Sequence, residues 1–258
     1  MKPQLSVVIT GASSGIGRAL AMEYAARGAT LGLIARREDL LTQLASSLPV
    51  RSCAYALNVT DAQALAHAAA DFTARVGCPD IVIASAGVSV GTLTEEAMDN
   101  AVFEEVMATN VLGTMLTFQP FLEAMRLRRG GTLVGIGSIA GFRGLPGASA
   151  YSASKAAVMS YLESLRLELR DSGVAVVTIC PGYVATPMTA KNPYRMPFLM
   201  DAGKAAIKIA DAIDRRSRFY VLPWQMGLVG GVLKRLPRWL YDLLFARAPR
   251  KPRRTPAS

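Results

Sequence analysis

Tyr151 and Lys155 stand four residues apart in Tyr151-Ser152-Ala153-Ser154-Lys155. Positions four apart on a helix share a face, so the phenol and the ammonium can enter one cleft. A free tyrosine has a pKa of about 10. A fixed ammonium favours the phenolate and lowers that value. The phenol then works as a general acid or base nearer neutral pH. Alone, Tyr-x-x-x-Lys is a common pattern. Ser138 changes its meaning, because it follows the strand-like run Thr132–Gly137. The carboxyl ends of strands in a doubly wound sheet face the ligand crevice, where a serine can donate to a carbonyl oxygen.

A second cluster lies near the start, in Thr10-Gly11-Ala12-Ser13-Ser14-Gly15-Ile16-Gly17. Gly11 permits a tight turn out of a strand, Gly15 lets the backbone approach a pyrophosphate, and Gly17 lets a helix pack closely. The N–H groups and partial positive charge of the following helix suit phosphate. An NAD enzyme usually carries an acid about 20 residues further on, for the ribose 2′-hydroxyl. Here that place holds Arg36 and Arg37. Two cations at a helix N-terminus oppose its dipole unless an anion joins them. The pair therefore predicts NADP(H) over NAD(H), with Arg36 the main contact because it ends the strand.

These residues need a frame. Strand-like runs occur at Leu5–Thr10, Thr30–Ala35, Ala54–Leu57, Asp80–Ser85, Thr132–Gly137, Val174–Cys180 and Arg218–Leu222. Helical periodicity fills Ile16–Arg27, Arg37–Leu48, about Asp61–Val76, about Ala97–Arg128 and Ala150–Ser172. Such alternation implies βαβ crossovers. The expected architecture is α/β: a Rossmann-type, doubly wound, parallel sheet of about seven strands with helices on both faces. Residues 1–223 read as one catalytic domain and residues 224–258 as a C-terminal amphipathic helical extension with a basic tail.

The chain resembles the short-chain dehydrogenase/reductase family. The resemblance rests on Gly11, Gly15 and Gly17; on Asn110 and Gly113; on Ser138; on Tyr151 and Lys155; and on Pro181, Gly182 and Thr186, all in the family's order. It implies that Tyr151 exchanges a proton with the substrate oxygen, that Ser138 holds and polarises that oxygen, and that Lys155 lowers the Tyr151 pKa and binds the nicotinamide ribose. Asn110 is implied to support a water that links Lys155 to solvent. The backbone of Val184, together with Thr186, is implied to hold the carboxamide. Ser13, Ser14, Ile16, Asn58, Val59 and Gly87 complete the implied coenzyme site. Two positions depart from the family: Ser85 stands where asparagine is usual, and Asn58 where aspartate is usual. An Asn amide oxygen still accepts a bond from adenine, and Gly87 is kept.

The reading is thus an NADP(H)-dependent oxidoreductase interconverting a carbonyl and a secondary alcohol. The alternative is a nonenzymatic dinucleotide-binding or redox-sensing protein on the same fold. Met188–Met200 falls where the family places its substrate lid. It holds Met188, Tyr194, Met196, Phe198 and Leu199, which suit a hydrophobic acyl-chain or steroid-like substrate.

Composition narrows the choice further. Half of the chain is hydrophobic (51%) and only 7% is aromatic, as aliphatic-rich parallel strands require. Cys53, Cys78 and Cys180 have no metal-ligand spacing, so no metal site is expected, and reduced thiols fit the cytoplasm. The one histidine, His67, lies in an alanine-rich helical stretch after Asp61, a natural N-cap, so a Ser-His-Asp hydrolase is disfavoured. Met1–Gln4 runs into an apolar strand with no signal-peptide pattern.

The net charge is +10, and residues from Lys234 onward carry +7 of it, eight cations against Asp242. This basicity belongs to the tail rather than to the chemistry, and it gives no reason to expect a nucleic-acid partner. Trp239, Leu240, Leu243 and Leu244 form an apolar stripe among basic residues. Residues 224–258 therefore either meet the inner membrane surface peripherally or pack on the body or a partner subunit, with homo-oligomers the expectation from the family.

Overall fold

The structure, a computed structural model, describes residues 4–254. The start of the signal-peptide reading (Met1–Pro3) and the last four residues of the tail lie outside them.

Seven parallel strands form one sheet in the order β3-β2-β1-β4-β5-β6-β7. They are β1 Ser6–Thr10, β2 Thr30–Ala35, β3 Ser52–Ala56, β4 Ile81–Ala84, β5 Gly131–Ile136, β6 Val174–Pro181 and β7 Phe219–Leu222. The order reverses at β1, which pairs with β2 on one side and β4 on the other. That reversal opens a crevice at the carboxyl ends of β1 and β4.

Both sheet faces are buried because successive strand residues point to opposite sides. Val7, Ile9, Leu31 and Leu33 meet α1 (Gly15–Ala26), α2 (Glu38–Ser47) and α7 (Ala202–Asp214), through Leu20, Tyr24, Leu41 and Ile209. Val8, Ile34, Val82 and Leu133 meet α3 (Ala62–Val76), α5 (Gly113–Arg128) and α6 (Ser149–Glu168), through Phe72, Phe118 and Leu162. Asp61 caps α3 by accepting from the Ala64 N–H at 3.0 Å, and His67 is exposed on that helix. Cys53 and Cys180 are buried and Cys78 half-buried, all as free thiols.

Two elements differ from expectation. The helical stretch about Ala97–Arg128 is broken into α4 (Asp99–Met107), a π-helical turn (Ala108–Leu112) and α5. Side-chain periodicity does not register one extra residue in a turn, and such turns cluster at functional sites. α7 was not expected at all. Asp201 caps it by accepting from the Lys204 N–H at 2.9 Å, and Ala205, Ile209 and Ile213 face the core.

β7 ends at Leu222, and α8 (Trp224–Arg235) and α9 (Arg238–Phe245) follow. Both pack on the body. Tyr241 donates its hydroxyl to the Gly144 carbonyl at 2.6 Å. Arg143 donates to the carbonyls of Leu233 and Leu236, with its guanidinium 4.2 Å from the Tyr241 ring centroid. Among the described residues no helix is long and apolar enough to cross a membrane.

Candidate active site

The glycine turn joins β1 to α1 over the crevice. Gly11 has φ +70°, and a Cβ there would stand 2.8 Å from the Ala86 Cα. A Cβ on Gly17 would strike the Gly11 carbonyl oxygen. Gly17 therefore closes the turn on itself, more locally than the helix packing expected of it. Thr10, fully buried, accepts at its hydroxyl from the N–H groups of Ser85 and Ala86 at 3.2 and 3.3 Å. These are backbone bonds, so the unusual Ser85 leaves the tie intact.

α1 begins after Ser14, whose hydroxyl makes no capping bond, and its first turn carries no acid. Its leading N–H groups and dipole are thus open to an anion. Arg37 reaches back to this turn and donates to the hydroxyls of Ser13 and Ser14 at 3.0 and 2.7 Å. Arg36 is 57% exposed in its side chain, and a long 4.0 Å pairing to Glu105 is its single ion pair among the described residues.

A cleft of about 230 Å³ runs from Arg36, Arg37, Asn58 and Val59 across the glycine turn, Ser13, Ser14, Ile16 and Gly87 to Ser138, Tyr151 and Lys155. Pro181, Gly182, Val184 and Thr186 line it too. Of the residues expected in catalysis or coenzyme binding, Asn110 is absent from the lining, and of the lid residues Met188 lines the cleft whereas Tyr194, Met196, Phe198 and Leu199 do not. Asn110 is fully buried in the π-turn. Its amide oxygen accepts from the Val88 N–H at 2.8 Å, and its amide nitrogen donates to the Val88 carbonyl at 3.0 Å and to Ser154 at 2.9 Å. Asn110 thus ties the segment after β4 to α6 from behind the cleft.

At the catalytic end, Ser138 follows β5 and accepts at Oγ from the Ala140 N–H at 3.1 Å. Tyr151 is in the first turn of α6 and Lys155 one turn on. Lys155 donates to the Ile136 carbonyl at 2.7 Å and stands 5.9 Å from the Tyr151 ring centroid. Burial lowers the Lys155 pKa to about 8. Burial also raises that of Tyr151, while the nearby Ser138 hydroxyl pulls the other way. The expected depression of the Tyr151 pKa by Lys155 is therefore not what governs here. Desolvation opposes the charged form of each group on the shared floor, and the ammonium is engaged by a carbonyl.

Thr189 gave no signal in the sequence. It donates to the Val184 carbonyl at 2.6 Å and accepts from the Thr186 N–H at 3.0 Å, bracing both expected carboxamide contacts. The lid ends where Met200 and Tyr183 pair through the Met200 N–H at 2.9 Å. Burial raises the phenol pKa of half-buried Tyr194, and its neighbours Tyr183 and Tyr151 push it the same way.

The basic tail, expected to stand apart from the chemistry, returns to the cleft. Gly91 donates its N–H to the Pro252 carbonyl at 2.9 Å. Arg253 binds Asp99 and Glu96, each at 2.9 Å, and Arg254 binds Glu105 at 2.9 Å. Lys251 donates to the Ser89 hydroxyl and stands 5.2 Å from the Tyr151 ring centroid.

A crevice at the sheet's reversal, with an open helix N-terminus at one end and a serine and tyrosine at the other, defines a dinucleotide-dependent oxidoreductase. Residues 6–196 match the family described as short chain dehydrogenase. An "uncharacterized oxidoreductase" of Myxococcus xanthus (strain DK1622) is 39% identical over 245 residues, covering 94% of this chain and 96% of its own. The 3-oxoacyl-[acyl-carrier-protein] reductase FabG of Thermotoga maritima is 33% identical over 189 residues, 72% of this chain and 76% of its own. A solved short-chain dehydrogenase from Streptomyces avermitilis superposes with a TM-score of 0.80 at 30% identity, covering 90% of this chain and 93% of that one. The chain belongs to the short-chain dehydrogenase/reductase family. It is an oxidoreductase that binds a nicotinamide dinucleotide and acts on CH–OH or C=O groups.

Proposed function

We propose that the protein interconverts a ketone and a secondary alcohol on a hydrophobic small molecule, using NADP(H). The observation that carries this is one continuous cleft with Arg36 and Arg37 at one end and Ser138 and Tyr151 at the other. The residues fit a dinucleotide: the first turn of α1 offers uncapped donors without an acid, and the glycine turn that leads into it lines the cleft. When bound, the nicotinamide supplies or accepts the hydride.

In reduction, Ser138 holds the carbonyl oxygen by a hydrogen bond and Tyr151 gives it a proton. In oxidation the Tyr151 phenolate takes the alcohol proton. Lys155 binds the nicotinamide ribose and passes protons towards solvent, with Asn110 fixing the surrounding backbone. Val184 and Thr186, braced by Thr189, hold the carboxamide. Arg36 meets the 2′-phosphate, and Asn58 accepts from adenine. The apolar lid and the name of the Thermotoga relative, a 3-oxoacyl reductase, both favour a substrate with an acyl chain. A dinucleotide sensor without chemistry would have no use for the full set Ser138, Tyr151 and Lys155. The test is a panel of ketones and alcohols with NADP(H) and NAD(H), with Tyr151→Phe as the blank. Turnover equal in wild type and blank, or a clear preference for NAD(H), overturns the reading.

A second reading concerns the surface of residues 224–245. Trp224, Leu228, Val232, Trp239, Leu243 and Leu244 are exposed, beside Lys234, Arg235 and Arg238. That combination suits peripheral contact with an anionic, cytoplasmic-side membrane. Sedimentation with phosphatidylserine vesicles, lost in Trp239→Ser/Leu243→Ser, is the expected result. A homodimer in light scattering that the same substitutions dissociate, with no sedimentation, replaces the membrane by a second subunit.

A further inference from the structure

The tail crosses two glycines so closely that neither could carry a side chain. A Cβ on Gly91 would strike the Lys251 carbonyl, and one on Gly147, at φ +68°, would stand 2.7 Å from the Arg250 Cβ. Beyond this crossing Arg253 is clamped by buried Asp99 and by Glu96. The strap therefore holds Lys251 over the cleft between two fixed points. Arg253 and Arg254 each find a carboxylate; Lys251 finds none within 4.0 Å among the described residues. Its hydrogen-bonding neighbour is the Ser89 hydroxyl, and its nearest ring is that of Tyr151. Burial pushes its pKa down to about 8, with no acid opposing the shift. A half-buried cation without a counter-ion is costly unless an anion joins it.

We infer that Lys251 and Ser89 form the recognition site for an anionic group of the substrate, a carboxylate or phosphate ester a few bonds from the carbonyl carbon. The inference rests on the reductase reading and narrows its substrate class to anionic ketones with an apolar chain. Lys251 and Ser89, beside the Tyr151 ring, suit such a head group, while Met188 in the cleft and its apolar neighbours in the lid suit the chain. Lys251 thus acts as a specificity-determining residue supplied from the far end of the chain. It takes no part in proton transfer.

The experiment compares 3-oxodecanoate with its methyl ester, using NADPH, in wild type, Lys251→Ala and Lys251→Arg. Lys251→Ala is expected to raise KM for the acid by about tenfold or more, the worth of one charge-assisted hydrogen bond. The ester should change less than about threefold, and Lys251→Arg should restore most of the loss. Calorimetric titration of decanoate gives a readout without turnover, and its binding should be lost in Lys251→Ala. Equal losses for acid and ester overturn the inference, as does a gain for both, which would make the strap an inhibitory cover. Reduction of both compounds with decanoate binding indifferent to Lys251 removes the anion site and leaves the reductase standing. Lys251-dependent decanoate binding without reduction of any ketone keeps the site and removes the reductase.

Discussion

Lys155 Nζ lies 2.7 Å from the Ile136 carbonyl oxygen, its one hydrogen-bond partner among the described residues, and the side chain is 6% exposed. Burial lowers its pKa from 10.5 to about 8. The folded protein therefore disfavours the charged form. The cost is fully present below pH 8, shrinks as pH rises from there, and is gone above 10.5. Lys155→Met should abolish turnover yet stabilise the fold at pH 7 by about 1–2 kcal/mol, after the stranded Ile136 carbonyl is counted. That corresponds to about 4 °C in Tm for a chain of this size. Calorimetry at pH 7 and pH 10.5 checks it: the gain should vanish at the higher pH.

Ser138 favours the Tyr151 phenolate against the effect of burial. Removing the hydroxyl should raise the Tyr151 pKa further. For alcohol oxidation, where the phenolate is the base, the rising limb of the kcat/KM profile in Ser138→Ala should move to higher pH. The rate should also fall by about 100-fold or more, because an oxygen donor is lost. A lower rate with an unmoved limb would assign Ser138 to substrate binding alone.

Arg36 and Arg37 are neighbours with different engagements. Arg37 is tied to the Ser13 and Ser14 hydroxyls, whereas Arg36 projects with only a long contact to Glu105. Arg36→Ala should raise KM for NADPH by about tenfold or more and leave NADH within about threefold, since one charge-assisted bond to the 2′-phosphate is lost. Arg37→Ala should weaken both coenzymes, because it loosens the turn under the pyrophosphate. Steady-state kinetics with both coenzymes separates the two effects.

Asp99 is buried, accepts from the Leu93 N–H at 2.7 Å, and binds Arg253. These bonds hold its carboxyl below its ordinary pKa of 3.8. A depressed acid contributes stability above its unfolded pKa and loses it as pH falls through the folded value. Strap docking should persist at neutral pH and fail in acid, below pH 3.8. Arg253→Ala should release the strap at pH 7, read as faster trypsin cleavage after Arg250 with little change in Tm.

Much of the site was legible because its signals are local. The glycine turn, the strand-end Ser138 and the one-turn spacing of Tyr151 and Lys155 each occupy a few consecutive residues. The alternating pattern around them specified the sheet. α7 went unread although Asp201 and its apolar face are present, because the Met-rich lid before it carried no periodicity to mark where a helix begins. The π-turn went unread because apolar spacing runs smoothly through it. Asn110 was expected at the cleft and instead braces it from behind, a distinction made by partners on Val88 and Ser154 that sequence spacing does not specify.

The sequence by itself determined the strand order's ingredients, the glycine turn and the placing of Ser138, Tyr151 and Lys155 for one cleft. These depend on propensity, periodicity and short-range spacing. Only the tertiary structure decided that burial, rather than the neighbouring ammonium, dominates the Tyr151 pKa, since desolvation depends on what covers a group. Only it decided that the basic tail closes over the active site. That result comes from Arg253 meeting Asp99 and Glu96, more than 150 residues earlier in the chain, and charge complementarity at such separation exists only once the sheet has brought the partners together.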